Sequence, residues 1–288
     1  MKVGASSISK VARAGQFIHI VPRSEHVFDP LLRRAFSIAA MDEDALEILY
    51  RVEGRGTQQL AHLRAGDTID ILGPLGTPFT CGTQHAILVG GGIGVPPLAM
   101  LAAQEQRVTK SSNATPSTNT MLDNESAGKD ASDRPSTQDP GSAVSQILEM
   151  EAFIGAQSHR ELICLDDFER WQVPVQIATD DGSAGLHGLV TDLLQRRLTQ
   201  MSVANAFNNA AGSLTVYACG PMAMLKAVAL ICASFNVPCQ VSLEENMPCG
   251  VGVCNGCVVR AAIAADDYGQ YKRICVEGPV MWAHDIVW

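Results

Sequence analysis

The sequence predicts an antiparallel β-barrel, then a parallel α/β domain, then a small C-terminal lobe. Three observations carry this. Residues 1–82 hold short alternating segments separated by Gly, Pro and Asp. Residues 83–242 alternate apolar runs with helical patterns. Residues 243–288 lack long periodic elements and carry four cysteines at a meaningful spacing. A chain of 288 residues has room for about two domains at roughly 100–200 residues each.

In the first region GQFIHIV alternates and runs into the turn-like VPRSEH. LRRAFSIAAM, ALEILYRVEG and GDTIDILGPLG are further strand candidates. The second region opens with HAILVGGGIGVPPLAMLAAQE, an apolar strand, a Gly turn and a helix. EMEAFIGA, VPVQIATDDG and SLTVYACGP are buried-strand candidates, and HGLVTDLLQRRL and PMAMLKAVALICASF have helical periodicity. The stretch from about Arg107 to Gln146 is different, being rich in Ser, Thr, Asn, Asp, Gly and Pro. It offers too little apolar surface to offset its ordering entropy, so it reads as a disordered insertion. A recognition tail is the alternative.

Composition narrows the function. A net charge of −9 and a pI near 5.2 disfavour nucleic acid as a partner. The opening MKVGASSISK has no apolar core of secretory-signal length, so a cytoplasmic location is expected. Ala86 to Ala103 is uncharged, but its four glycines and two prolines fit a strand, loop and helix rather than a membrane span. In a reducing compartment the nine cysteines are not expected to form disulfides. Cys81, Cys164, Cys219, Cys232 and Cys239 are scattered and read mostly as core.

The strongest signal is Cys249-GVGV-Cys254-NG-Cys257, with Cys275 standing alone further on. This C-x4-C-x2-C…C spacing is that of plant-type [2Fe–2S] clusters. Three thiolates on one loop require it to curl tightly, and Gly250, Gly252 and Gly256 allow that. Spare backbone N–H groups can then bond the sulfurs and tune the potential. A structural zinc site is the alternative. It usually has two separated C-x2-C pairs, which this spacing does not supply.

Nucleotide-binding signals are weaker one by one. Gly90-Gly91-Gly92-Ile93-Gly94 follows a strand and precedes a helix, where backbone can approach a pyrophosphate. Val95 takes the place of the last glycine of G-x-G-x-x-G, and a tight strand–helix turn is the bland reading. Cys219-Gly220-Pro221 ends another buried strand, at the edge where α/β sheets bind ligands. Asp180 and Asp181 end a third; they could accept ribose hydroxyls and would repel a 2′-phosphate, favouring NAD over NADP, or could form a solvated turn. In the β-rich region Arg33-Arg34-Ala35-Phe36-Ser37 puts basic residues beside a strand, where arginine can fork onto a diphosphate. Leu49-Tyr50-Arg51 and Gly54-Arg55-Gly56-Thr57 follow, the latter opening a short helix; ordinary turns and surface pairs remain the alternative.

Together these motifs resemble the ferredoxin-reductase-like superfamily, and most of all the electron-transfer subunits of class 1B (NAD-dependent) dihydroorotate dehydrogenases. The resemblance rests on GQFIHI, DPLLRRAFSI, LYRVEGRGT, GDTIDILGPLGTPF, GGGIGVPPL, TDDGSAGLHGLVTD, YACGPMAML and EENMPCGVGVCNGC…RICVEGPV, in that order. It implies FAD held by Arg34, Ala35, Phe36, Ser37, Leu49, Tyr50, Arg51, Gly56 and Thr57. It implies cluster ligands at Cys249, Cys254, Cys257 and Cys275, and NAD near Gly91, Gly92, Gly94, Asp180, Asp181, Cys219, Gly220 and Pro221. It also implies an FMN-containing catalytic partner that oxidises dihydroorotate in pyrimidine biosynthesis, in a heterotetramer of two of each chain. Electrons would leave that FMN, cross the cluster singly, collect on FAD and depart to NAD. No catalytic residue for dihydroorotate oxidation is expected on this chain. Sibling subunits of an NADH-dependent ferredoxin:NADP reductase or a sulfide dehydrogenase share the same motifs. Two departures stand out: Ala35 occupies a position usually held by proline, and little chain precedes GQF, so a barrel lacking a strand is one expectation.

Overall fold

The computed structural model describes residues 1–23, 28–112, 147, 149–204, 214–262 and 269–288. The N-terminal region comprises β1 (Lys2–Gly4), α1 (Ser6–Ser9), β2 (Phe17–Ile20), β3 (Arg34–Ser37), β4 (Ala40–Met41), β5 (Ala45–Glu47), α2 (Arg55–Ala61) and β6 (Ile71–Leu75). Its strands form two antiparallel three-stranded sheets, β1-β5-β4 and β3-β2-β6. The strand feared missing before GQF is there: Lys2, Val3 and Gly4 pair with Glu47, Leu46 and Ala45.

Two strand candidates come out shorter than expected. LRRAFSIAAM splits into β3 and β4, and ALEILYRVEG keeps only Ala45–Glu47 in a ladder. Leu49, Tyr50 and Arg51 leave the sheet and line a cavity instead. In α2 the Thr57 hydroxyl oxygen accepts the N–H groups of Glu53 and Gly54 at 3.0 and 3.1 Å, closing the helix start.

The α/β region runs through β7 (His85–Gly91), α3 (Val95–Ser112), β8 (Glu149–Ala156), α4 (Leu165–Arg170), β9 (Val175–Thr179), β10 (Leu186–His187), α5 (Val190–Val203), β11 (Leu214–Cys219), α6 (Met222–Ser234) and β12 (Cys239–Ser242). β7 and β11 form from largely apolar runs, as strands covered on both faces should, and β8 has an apolar centre, Ala152–Ile154, after two glutamates. Pro96 and Pro97 sit in the first turn of α3, where their missing N–H groups cost nothing. α3 continues through Arg107 to Ser112, so the polar stretch begins inside a helix; residues 113–146, the rest of the predicted insertion, lie outside the described residues. No helix among the described residues is long and apolar enough to cross a membrane.

The C-terminal segment adds β13 (Val258–Arg260), β14 (Tyr271–Arg273) and β15 (Val280–Trp282). The main sheet has the order β10-β9-β8-β7-β11-β12-β15, parallel except for the last pair. The chain moves outward from β7 through β8 to β9, then returns to the other flank of β7 with β11. That reversal puts the ligand-binding crevice of an open α/β sheet beyond the carboxyl ends of β7 and β11. β15 ties the cysteine-bearing segment onto this sheet, Val241 facing Met281. The barrel is docked there too, since Thr77 N–H bonds the Gly278 carbonyl. One core cluster runs from Ile18 and Phe36 of the barrel to Leu88 and Leu98 of the α/β region.

Candidate functional site

Two cavities meet at the reversal point. The first, about 530 Å³, is bordered by β3, the Leu49–Arg51 segment and the chain after β12. Of the residues expected to hold FAD, Ala35, Phe36, Ser37, Leu49, Tyr50, Arg51 and Thr57 line it. Arg34 and Gly56 stand behind that wall. A Cβ on Gly56 would lie 3.2 Å from Arg34 Nε, so glycine lets the two pack closely. Arg34 spends one guanidinium nitrogen on the Leu32 and Arg33 carbonyls, and its neighbour Arg33 is bound to Asp70 at 2.7 Å. The Phe36 and Tyr50 rings lie 5.5 Å apart, an aromatic pair at one side of the cavity.

The second cavity, about 490 Å³, is bordered by the loops after β7, β8, β9 and β11. Of the residues expected near NAD, Gly91, Gly92, Asp180, Gly220 and Pro221 line it. Gly92 has φ +55, and a Cβ there would meet no atom within 4 Å, so the backbone itself forms the wall. Three expected residues do not line it. Gly94 is pressed against the next loop, with a Cβ 2.5 Å from Gly220 N. Cys219 is buried, and burial pushes its thiol pKa up, so it is neutral packing. Asp181 accepts the Ser183 hydroxyl at 2.6 Å and backbone N–H at 2.9 Å, bonds that lower its pKa and commit it to the turn.

Sequence reasoning missed Gly155, Gln157 and Glu161 in the second cavity, and Glu244 in both. Gly155 lies at the carboxyl end of a recognised strand and Gln157 just beyond it, so the carboxyl-end rule pointed at them. Glu244 had no local signal. Arg51, Ile93 and Glu244 border both cavities, which are therefore neighbours across a shared wall. Glu244 is open to solvent on one side, yet desolvation on the other raises its carboxyl pKa.

The cysteine loop lies beside the first cavity, beyond Met247. Gly250 (φ +69), Gly252 (φ +79) and Asn255 (φ +52) adopt the left-handed backbone that curls it. The Gly256 N–H points at Cys254 Sγ and the Cys275 N–H at Cys257 Sγ, each at 3.4 Å. Burial alone would raise the Cys249 pKa, but the N–H groups of Cys254, Val251 and Val253, together with the Cys254 thiol, outweigh it and lower it to about 6. At Cys275 the balance is opposite: burial, then the Cys257 thiol, pushes its thiol up to about 12. Among the described residues no three His, Cys, Asp or Glu side chains gather about one point that would hold a single ion. The Cys254 thiol influences Cys249, and the Cys257 and Cys249 thiols both influence Cys275. Arg273 anchors the loop by donating to the Gly252 carbonyl at 3.1 Å while paired with Glu277 at 2.6 Å.

A family model of the iron–sulfur cluster binding domain of dihydroorotate dehydrogenase B matches residues 244–287. The dihydroorotate dehydrogenase B (NAD(+)) electron transfer subunit of Desulforamulus reducens is 32% identical over 100% of this chain and 92% of its own length. That of Geobacillus sp. (strain WCH70) is 35% identical over 97% of this chain and 89% of its own. The chain belongs to this family of electron transfer subunits. Its solved relatives agree. An NADH-dependent reduced ferredoxin-NADP oxidoreductase superposes with a TM-score of 0.69 at 26% identity, covering 100% of this chain and 84% of that one. Ferredoxin-NADP+ reductase from Plasmodium falciparum, at 15% identity and a TM-score of 0.51 over 81% and 83%, shares the fold. Family and fold bear out the expected architecture, the expected cofactor set and the role of an electron-transfer subunit of an oxidoreductase. An electron transfer subunit has a catalytic partner subunit.

Proposed function

We propose that this chain carries FAD in the first cavity, takes NAD in the second, and holds one [2Fe–2S] cluster on Cys249, Cys254, Cys257 and Cys275. Its function is to pass electrons from the FMN of a dihydroorotate dehydrogenase catalytic subunit to NAD. The observation that carries this is the wall of Arg51, Ile93 and Glu244 common to both cavities. Hydride transfer needs flavin and nicotinamide within contact distance, so their sites must open onto each other. Bound flavin supplies the exchange between two-electron hydride chemistry and the one-electron chemistry of an iron–sulfur cluster.

The chain's own residues bind and orient. Ala35, Phe36, Ser37, Leu49, Tyr50, Arg51 and Thr57 contact the flavin nucleotide, with Arg34 and Gly56 fixing their backbone. Gly91, Gly92, Gly220 and Pro221 let the NAD pyrophosphate approach the main chain, and Asp180 faces the ribose hydroxyls. Gly94 and Cys219 hold the two crevice loops together, and Asp181 shapes the turn beside Asp180. The parts divide as 1–82 for FAD, 83–242 for NAD and 243–288 for the cluster, with β15 crossing back into the main sheet. Exposed Cys254, with Val251 and Val253 also exposed, makes the cluster loop the docking face for the catalytic subunit, in an assembly of two copies of each chain. The setting is pyrimidine synthesis in the cytoplasm.

The test is dihydroorotate-dependent NAD reduction by this chain co-expressed with the dihydroorotate dehydrogenase catalytic subunit of the same source. Activity that needs both chains, at a mass of two plus two by light scattering, is the expected result. A complex that lacks this activity while NADH still reduces its FAD would contradict it. The likeness to the NADH-dependent ferredoxin-NADP oxidoreductase favours that enzyme's chemistry as the second reading.

A further inference from the structure

We propose that His19 is a positioning residue for the cluster: its ring N–H donates to a sulfur of the [2Fe–2S] unit in the Cys249–Cys257 loop and raises that unit's reduction potential. The inference rests on the cluster reading above and adds a residue to it.

His19 lies in the middle of β2, between Ala35 of β3 and Leu72 of β6. It is fully buried, and neither Nδ1 nor Nε2 has a hydrogen-bond partner. Buried polar side chains almost always find a partner, so a wholly buried imidazole with two idle nitrogens points to a group not supplied by the polypeptide. The direction of the ring says which. A Cβ on Gly250 would lie 2.4 Å from His19 Cε1, 2.7 Å from Nδ1 and 2.8 Å from Nε2. The nitrogen-bearing edge therefore faces the backbone of the residue that directly follows Cys249. Only glycine fits there, both for space and for the φ of +69. The first cavity is bordered by Phe17 and Met247, and His19 is turned from it toward the loop.

The surroundings leave His19 as a donor of one hydrogen bond. Burial, and then the charge of Arg33, disfavour a second proton on the ring. The Met247 backbone lies close enough to influence the ring, but it does not meet hydrogen-bond geometry. The loop already surrounds its sulfurs with N–H donors, and His19 adds one from the barrel side. A reduced cluster carries one more negative charge than an oxidised one. A donor stabilises the reduced form more, so it raises the potential. His19 would thereby link the strand beside the flavin cavity to the energy of the electron on the cluster.

The experiment is a redox titration of the intact, cofactor-loaded chain, followed by the electron paramagnetic resonance signal of the reduced cluster. Wild type is compared with His19→Gln, which keeps an N–H, and with His19→Leu and His19→Met, which fill the space without one. The expected result is a midpoint shifted to lower potential in the Leu and Met variants and restored toward wild type by Gln. Iron lost from Leu and Met but kept by Gln also supports the donor. Midpoints of Leu and Met equal to wild type would overturn it, leaving His19 as filler or as a donor to the Met247 carbonyl. So would a Gln variant displaced, or emptied of iron, as far as Leu. A wild-type protein with no [2Fe–2S] signal on reduction would sink the cluster reading itself, a result distinct from any of these.

Discussion

Gly94 and the two neighbouring aspartates show what single residues decide here. A methyl group on Gly94 would lie 2.5–2.6 Å from the backbone of Cys219 and Gly220, and backbone cannot swing aside as a side chain can. Gly94→Ala is expected to cost about 1–3 kcal/mol, as overpacking does, in urea unfolding, and to raise the KM for NADH. Asp180 lines the second cavity, whereas Asp181 is spent on Ser183. Asp180→Ser is therefore expected to raise the kcat/KM ratio of NADPH over NADH by about tenfold, worth ~1.4 kcal/mol. Asp181→Ser should leave that ratio unchanged in the same assay, and equal effects of the two would show that the pair acts through the turn. Gly91, Gly92, Gly220 and Asp180 were legible as cavity lining because their chemistry is local: a missing Cβ, or a carboxylate at a strand end. Glu244 and His19 were not legible. Glu244 matters through its place between two cavities, and His19 through what lies across the barrel.

Elements are joined by a half-buried polar cluster at the far end of the sheet from the crevice. Glu151 of β8 accepts from Arg197 of α5 at 2.8 Å and from His85 of β7 at 3.0 Å. Burial alone would raise the Glu151 pKa, but these bonds outweigh it and lower it. A carboxyl with a lowered folded pKa contributes stability above its unfolded pKa, about 4.3, and loses it as pH falls through the folded value. Glu151→Gln should cost about 1.5–3 kcal/mol near pH 7 and flatten the acid limb of the stability curve, read by urea midpoints from pH 3 to 7. An acid limb as steep as wild type would assign it to other carboxyls. At this scale the sequence was most legible where a run was long and buried, as in β7 and β11. It misled in ALEILYRVEG, whose alternating pattern continues past Glu47 while the backbone turns to shape the first cavity. β12 and β15 are only four and three residues long, too short for a pattern to register.

The whole molecule depends on where three parts meet. The order of the motifs along the chain was readable, and so was the set of parts. Their meeting place follows from sheet topology: the reversal at β7 sets the crevice, and β15 pulls the cysteine-bearing segment alongside it. Arg51 from the barrel, Ile93 from the crevice loop and Glu244 from beyond β12 then form one wall between two cavities. The cysteine loop stands on the barrel side of that wall, beyond Met247. The second cavity and the cysteine loop are thus separate surfaces of the chain, with the first cavity between them. The most direct test is NADH-driven bleaching of bound FAD in Cys254→Ala beside wild type, with flavin and iron content measured on both. The account predicts that the variant loses its [2Fe–2S] signal yet keeps its flavin and bleaches within about twofold of the wild-type rate, a difference of ~0.4 kcal/mol. A folded, flavin-replete variant that no longer accepts electrons from NADH would contradict it.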